Sequence, residues 1–578
     1  MGLTNRQKQH IKKNIRALPL EKIAEELDLP EKEILKYLKK KWPSEKYRDF
    51  VRGGGEKTAD DGPASLAFRP LTFLSENRFV FILLIFLVFA VYLNSLGNAF
   101  VSDDVPTLMN NSQAGSFGQI FSGPFLFSPR LLFNFLVIHI GGLHPASFRI
   151  INILFHFGSS LLVFLVVSWM AGRTVGIAAA ALFAVHPILI ESVTWISGAP
   201  YSQYGFFFLF SFLFYLLSKR EKKYIYYSIV FYLLAVMSSE KAIGLFLVFF
   251  LYEFSFGNLR HYWKKILPFA LSSIGLIMFY VSKIGGRTQE LSATTYQSTS
   301  GFYNPFVQVP IAIGSYLKLI FWPDKLSLYQ TEMNFTQESF SALAVVSLVF
   351  LGVVVWSYFK NKKIFFWLAF FFITLLPTLT PLKISWVVAE RYVYLGTLGI
   401  IVAVVILWEK IVNLNENGKM VGYFLLALAV VGLSVRTIYR NRDWRNEDTL
   451  WVATARVAPS GQQIHNNLGD MYSRQGDMQK AIEEFSMAIQ INPNYADAYH
   501  NRGNTYQQIG QNDLAIADFQ KAASINPNLW QSYQNMASIY FNAGNYGLAE
   551  ENIKKALEIN PSDPTLQQNL QTIEENRK

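Results

Sequence analysis

The stretch ADAYHNRGNTYQQIGQNDLAIADFQKAASINPNL, residues 496–529, decides the C-terminal fold. Its landmarks return at a step of 34 residues on either side. Pro493, Pro527 and Pro561 keep that step, as do Gly476, Gly510 and Gly544. So do Ala481, Ala515 and Ala549; Ala488, Ala522 and Ala556; and Tyr472, Tyr506 and Tyr540. Phe485, Phe519 and Ile553 form a further column. Small residues at fixed places let paired helices approach, and a proline stops the second helix of each pair.

A period of 34 residues with these features is the tetratricopeptide pattern. Three repeats are expected at 462–495, 496–529 and 530–563, within a domain at 462–578 whose last helix caps the apolar end. Pro459 keeps the step too, so 441–461 reads as a connector or half repeat that docks the array. Asn467, Asn501 and Asn535 are in register on the first helix of each repeat. A carboxamide offers one acceptor and two donors. Such a ladder on the concave face could grip the backbone of an acceptor peptide, or serve packing alone.

N-terminal to the repeats the chain changes character. Of its 578 residues 51% are hydrophobic and 16% charged, against about 25% charged in ordinary globular domains. A mean hydropathy of +0.22 averages a very apolar middle with two polar ends. Apolar runs of spanning length begin at 79–97 and continue at 147–170, 175–194, 202–218, 224–238, 241–256, 264–284, 340–358, 364–380, 392–408 and 419–436. They predict a transmembrane domain over 78–440 with about eleven spans. The first run lies behind a charged stretch, as in a retained signal-anchor helix.

Loop charge orients the bundle. The net charge is +11, and basic clusters stand at Lys219/Arg220/Lys222/Lys223, Arg260/Lys264/Lys265 and Lys360/Lys362/Lys363. All three face the cytoplasm by the positive-inside rule if 224–256 crosses twice and 306–322, with Pro310 and Lys318, lies in-plane or re-enters. The N-terminus is then cytoplasmic and the repeats extracytoplasmic. Residues 1–50 form a basic helical extension resembling a helix-turn-helix, too short alone to read DNA, so no nucleic-acid partner is expected. Residues 51–77 are a Gly-rich linker. The absence of cysteine excludes disulfides and a thiol nucleophile.

Candidate chemistry sits at the lips of the spans. Asp103 and Asp104 follow the first run and suit a general base, a metal or a helix cap. Arg130 opens the next apolar stretch. His186 and Glu191 lie in the C-terminal half of the third run, with Trp195, Gly198 and Tyr201 close behind. Glu240 and Lys241 mark a hairpin tip. Lys383, Glu390 and Arg391 precede the tenth span, where cations could hold a phosphate or simply pair. Ionisable groups at membrane depth are functional candidates by default.

At these residues the chain resembles the transmembrane and tetratricopeptide-repeat O-mannosyltransferases and their bacterial relatives, of the GT-C class. The matching pieces are FVSDDVP (100–106), SPRLLFNFL (128–136), Asn152 and His156, HPILIESV (186–193), SSEKAIG (238–244), WPDKLSLYQ (322–330), AERYVYLGTLG (389–399) and the repeats. The resemblance implies an all-α fold, a GT-C-like polytopic bundle followed by a repeat solenoid. It implies Asp103, with Asp104, as catalytic base, and Arg391, with Lys383, as contacts for a lipid-phosphate sugar donor. Arg130, His186, Glu191, Glu240 and Lys241 are further active-site candidates. No metal or other cofactor is expected. The implied reaction is inverting transfer of a sugar such as mannose from a polyprenyl-phosphate donor to hydroxyls of an exported protein bound by the repeats, in a bacterial cytoplasmic membrane. Gly198-Ala199 stands where the family tends to have Gly-Arg, and Glu240-Lys241 reverses the usual order. A non-catalytic repeat scaffold and a lipid-linked glycan ligase or polymerase are the alternatives.

Overall fold

The computed structural model describes residues 4–15, 20–41, 75–122, 127–293, 304–328, 337–379, 387–414 and 416–577. Three short helices come first: α1 (Asn5–Asn14), α2 (Leu20–Glu26) and α3 (Glu31–Lys41). They share a small core of Ile11, Ile15, Leu20, Ile23, Ile34 and Leu38. The expected helix-turn-helix is therefore a three-helix unit, with α1 closing its apolar face. The expected linker falls outside the described residues up to position 74.

The bundle is built from α4 (Arg78–Tyr92), α5 (Pro129–Gly141), α6 (Pro145–Ala171), α7 (Arg173–Val185), α8 (Ala199–Leu217), α9 (Tyr224–Ser238), α10 (Phe246–Ser255), α11 (Leu259–Ala293), α12 (Pro305–Phe321), α13 (Gln337–Lys360), α14 (Lys362–Leu375), α15 (Tyr394–Val412) and α16 (Glu416–Asp443). Local chemistry sets many of the boundaries. Ser128 caps α5 through the Leu131 amide, with Pro129 at the first helical position, where its missing N–H costs nothing. The Asn361 side chain accepts from the amides of Lys363 and Ile364 and so separates α13 from α14.

Contacts between helix ends sort the bundle into two poles. At one pole Lys219 pairs with Glu253 at 2.9 Å, Lys265 donates to the Ser218 carbonyl, and Phe254, Tyr358 and Phe365 join α10 to the α13–α14 junction. All three basic clusters sit there. At the other pole Asn98 donates to the Asn441 carbonyl, the Thr437 hydroxyl donates to Val185, and Arg391 meets Glu191. The double pass over 224–256 breaks at Ser239, as expected, and a 3-10 turn (Glu240–Leu245) leads into α10.

Both ends of α12 lie near the second pole. Gln308 donates to the Thr378 carbonyl beyond α14, and Ile320 accepts from His186. Between these contacts the helix packs along α13, where Ser347 donates to the Pro310 carbonyl. By length and composition alone, five helices among the described residues are able to cross a membrane, or six if the pair bent by 55° at His186 is one span. The remaining passes are shorter or less apolar, and their place is set by packing.

The repeats continue from α16. A half repeat, α17 (Glu447–Val457), precedes the pairs α18 (Gln462–Arg474) with α19 (Met478–Ile491), α20 (Ala496–Gln508) with α21 (Asn512–Ile525), and α22 (Trp530–Asn542) with α23 (Tyr546–Ile559). A last helix, α24 (Pro564–Arg577), covers the end. Trp444, Leu450, Trp451, Ala458, Ile464, Leu468 and Met471 belong to the same buried cluster as the bundle. The first repeat is thus welded to the membrane part by a shared core.

Candidate active site

The second pole gathers the charged candidates. Two adjacent acids come apart there because of the backbone before them. Ser102 has φ +54°, a left-handed conformation that costs an L-residue about 1–2 kcal/mol. Its amide donates to Glu447 of the half repeat at 2.5 Å, which holds the turn. Asp104 consequently points inward and is fully buried. It accepts from the Ser197 amide at 2.8 Å, the Ser197 hydroxyl at 2.6 Å and the Val101 amide at 3.2 Å. Burial pushes its carboxyl up to about 6, against the pull of those donors and of Arg149.

Asp103 points outward and is exposed. Among the described residues no donor hydrogen-bonds its carboxylate. Arg130, half-buried at the start of α5, lies within electrostatic reach of Asp103, Asp104 and Tyr201. Behind the loop, Arg149 is fully buried and donates to the carbonyls of Thr194 (2.9 Å), Ala99 (2.5 Å) and Asn98. It fixes the loop's backbone and is itself spent.

Glu191 and Arg391 form the centre. Glu191 is fully buried, and its two oxygens accept from the Arg391 amide at 2.8 Å and from the Arg391 guanidinium. The guanidinium carbon lies 5.4 Å from the Trp195 ring centroid and 5.0 Å from that of Tyr392. Gly198 makes this possible, because a Cβ there would stand 2.0 Å from the Glu191 carbonyl oxygen. The neighbouring Glu390 turns away, accepts from the Ser327 amide at 2.5 Å and faces Arg440 at 3.6 Å. Arg391 therefore pairs across 200 residues and not with the acid beside it.

Tyr201 links these parts. Its ring packs on Tyr392 and Tyr204, and Glu240, Arg391 and Arg130 all lie within its electrostatic reach. Lys241 is 6% exposed, with Nζ 4.9 Å from the Tyr392 ring centroid. His186 stands apart from the chemistry. Nε2 donates to the Ile320 carbonyl and Nδ1 accepts the Ile188 amide, so both nitrogens brace the bend after α7. Lys383 lies outside the described residues. Among those described, no three carboxylates or imidazoles converge as a metal site.

In the repeats, Asn501 donates to Asn466 at 3.0 Å and Asn535 donates to Asn504 at 2.6 Å. Asn501 and Asn535 thus each spend one donor on the preceding repeat and keep the carboxamide oxygen. Residues that sequence alone did not single out as site members are Ser197, Arg149, Tyr392 and Glu447. Glu447 had no local signal, since it lies in the connector.

Family models described as "TPR repeat" and "Tetratricopeptide repeat" match residues 469–510, and 496–529 with 530–563. Protein O-mannosyl-transferase TMTC3 of Mus musculus is 24% identical over 478 residues, 71% of this chain and 51% of that protein. Protein O-mannosyl-transferase TMTC4 of Homo sapiens is 24% identical over 408 residues, 60% of this chain and 55% of that protein. The chain resembles the transmembrane, tetratricopeptide-repeat O-mannosyl-transferases. It spans about half the length of the curated relatives it matches. Among solved structures, the crystal structure of MamA is 25% identical over 27% of this chain and 85% of that chain, with a TM-score of 0.19.

Proposed function

We propose that this chain is an integral-membrane glycosyltransferase of the GT-C type. Its donor is a sugar, mannose by the names of its relatives, on polyprenyl phosphate, and its acceptor is a hydroxyl of a protein held on the repeats. The observation that carries this reading is the placement of Asp103. It is an exposed carboxylate with no hydrogen-bond donor among the described residues, on a loop clamped by Glu447 to the start of the repeat array. An acceptor lying along the repeats reaches this loop without crossing the bundle.

In the proposed step the acceptor hydroxyl oxygen attacks the anomeric carbon. The bond from that carbon to the phosphate oxygen breaks on the opposite face, inverting the centre, and the hydroxyl proton passes to Asp103. The electron pair of the broken bond leaves with the phosphate, which the cations of the pole attract. Asp104, buried and triply hydrogen-bonded, holds the loop. The Asn ladder keeps free carbonyls for the acceptor backbone. Three basic clusters at the opposite pole favour that pole as cytoplasmic; on this reading the site and the repeats lie outside, in a bacterial cytoplasmic membrane.

Asp103→Asn keeps the charge-free shape and removes the base. Sugar transfer from a polyprenyl-phosphate donor, followed on an exported acceptor, is expected to fall by roughly 10²–10⁴-fold with expression intact. Full activity would sink the mechanism and favour a repeat scaffold. Single cysteines at Ser460 and Ser562 test the sidedness in intact vesicles, since the chain has no cysteine of its own. Labelling from the outside supports the reading, and labelling from the cytoplasm alone overturns it.

A further inference from the structure

Two cations reach the Tyr392 ring from different elements, Arg391 at 5.0 Å and Lys241 at 4.9 Å. They differ in what balances them. Arg391 is neutralised by Glu191, which takes both its amide and its guanidinium. Lys241 is 6% exposed, and among the described residues its ammonium has no hydrogen-bond acceptor and no carboxylate within salt-bridge distance. The adjacent Glu240 carboxylate acts instead on Tyr201 and Tyr204. An ammonium buried without an anion is costly, and a ring face offsets only part of that cost.

The backbone holds Lys241 in this position. Ser239 is extended, at φ −158°, and its hydroxyl accepts the Lys241 amide at 3.3 Å. That capped turn interrupts the pass between α9 and α10 and directs Lys241 to the site pole. Residues 238–241 thus form a break whose product is one buried positive charge beside Tyr392, with no carboxylate partner among the described residues.

We propose that Lys241, rather than Arg391, binds the phosphate of the lipid-linked donor. This rests on the transferase reading above. Arg391 then acts as a positioning residue, locked by Glu191 so that its stacked guanidinium shapes the wall next to Tyr392. Lys241 supplies a compact charge with three donors, which suits a phosphate on a mobile lipid.

The test uses the full-length protein in nanodiscs, with undecaprenyl phosphate and undecaprenol as probes. The wild type is expected to bind the phosphate more tightly than the alcohol. Lys241→Met should weaken phosphate binding by about tenfold or more, as loss of a charge-assisted bond does, and leave the alcohol unchanged. Lys241→Arg should restore most of the difference. A purely structural lysine would move both probes together, which overturns the assignment, as does unchanged phosphate binding in Lys241→Met. A wild type that does not distinguish phosphate from alcohol overturns the lipid-phosphate reading itself, and this inference with it. Should Lys241→Met fail to fold, acetylation of Lys241 in the wild type decides. Protection by undecaprenyl phosphate supports the proposal; equal labelling, or equal protection by phosphatidylglycerol, overturns it.

Discussion

In the repeats, polar partners lie near one another along the chain. Asn501 reaches Asn466 across 35 residues, and Arg502 clasps Asp518 across 16. In the bundle, Arg391 meets Glu191 across 200 residues, Asn98 meets Asn441 across 343, and Ser102 meets Glu447 across 345. The repeats are nearly one-dimensional, each unit resting on its neighbours. The bundle's polar groups sit in an apolar medium, where a missing partner costs the full desolvation of the one left behind. Damage should therefore stay local and modest in the repeats and be large at the site pole.

The sharpest contrast is expected at the central pair. Glu191→Gln leaves the Arg391 guanidinium buried without its counter-charge, at a cost of about 3–5 kcal/mol. Thermal unfolding of the detergent-solubilised protein should show a large drop in midpoint. A loss below about 1 kcal/mol would mean that the pair is not dry, and the contrast would fail.

Next in size is a pH effect tied to Asp104. Its carboxyl is raised by burial from 3.8 to about 6, so the folded state holds the proton more tightly than the unfolded chain. The resulting stability is present below the unfolded value and is lost as pH rises through about 6. The change amounts to about 3 kcal/mol between those limits. Unfolding midpoints measured from pH 4 to 7 should fall with rising pH, and Asp104→Asn should flatten that slope. An unchanged slope in the variant would assign the effect elsewhere.

Within the repeats the effects should be smaller. A Cβ at Gly503 would meet the Phe519 ring at 2.8 Å, so Gly503→Val overpacks the second repeat and should cost about 1–3 kcal/mol. Urea unfolding should show the loss with the site pole intact, and any sugar transfer by the bundle should persist. Asn501→Ala should cost least, about 1 kcal/mol for one inter-repeat hydrogen bond. If Asn501→Ala instead weakens acceptor capture well beyond that stability change, the ladder binds peptide as well as packing.

The same contrast explains what was legible in advance. Spacing alone places Gly476, Gly510 and Gly544, and all three adopt positive φ where the first helix of each repeat ends. The apolar runs, the break at Ser239 and the basic pole also follow from order along the chain. The pair Asp103–Asp104 reads in sequence as two like acids. Only the left-handed Ser102 and its bond to Glu447 make one a buried anchor and the other a free carboxylate. Arg391 looked like a partner of Glu390 and is a partner of Glu191. His186 looked available, yet both of its nitrogens brace a bend.

Sequence by itself determined the helical classes, the repeat period and the pole at which the ionisable groups collect. These depend on periodicity and on charge near the ends of apolar runs, which are local quantities. Tertiary structure decided which acid is free, which cation is neutralised and that the repeats share a core with the bundle. Those outcomes depend on pairings between segments hundreds of residues apart, set by side-chain packing that no local pattern encodes.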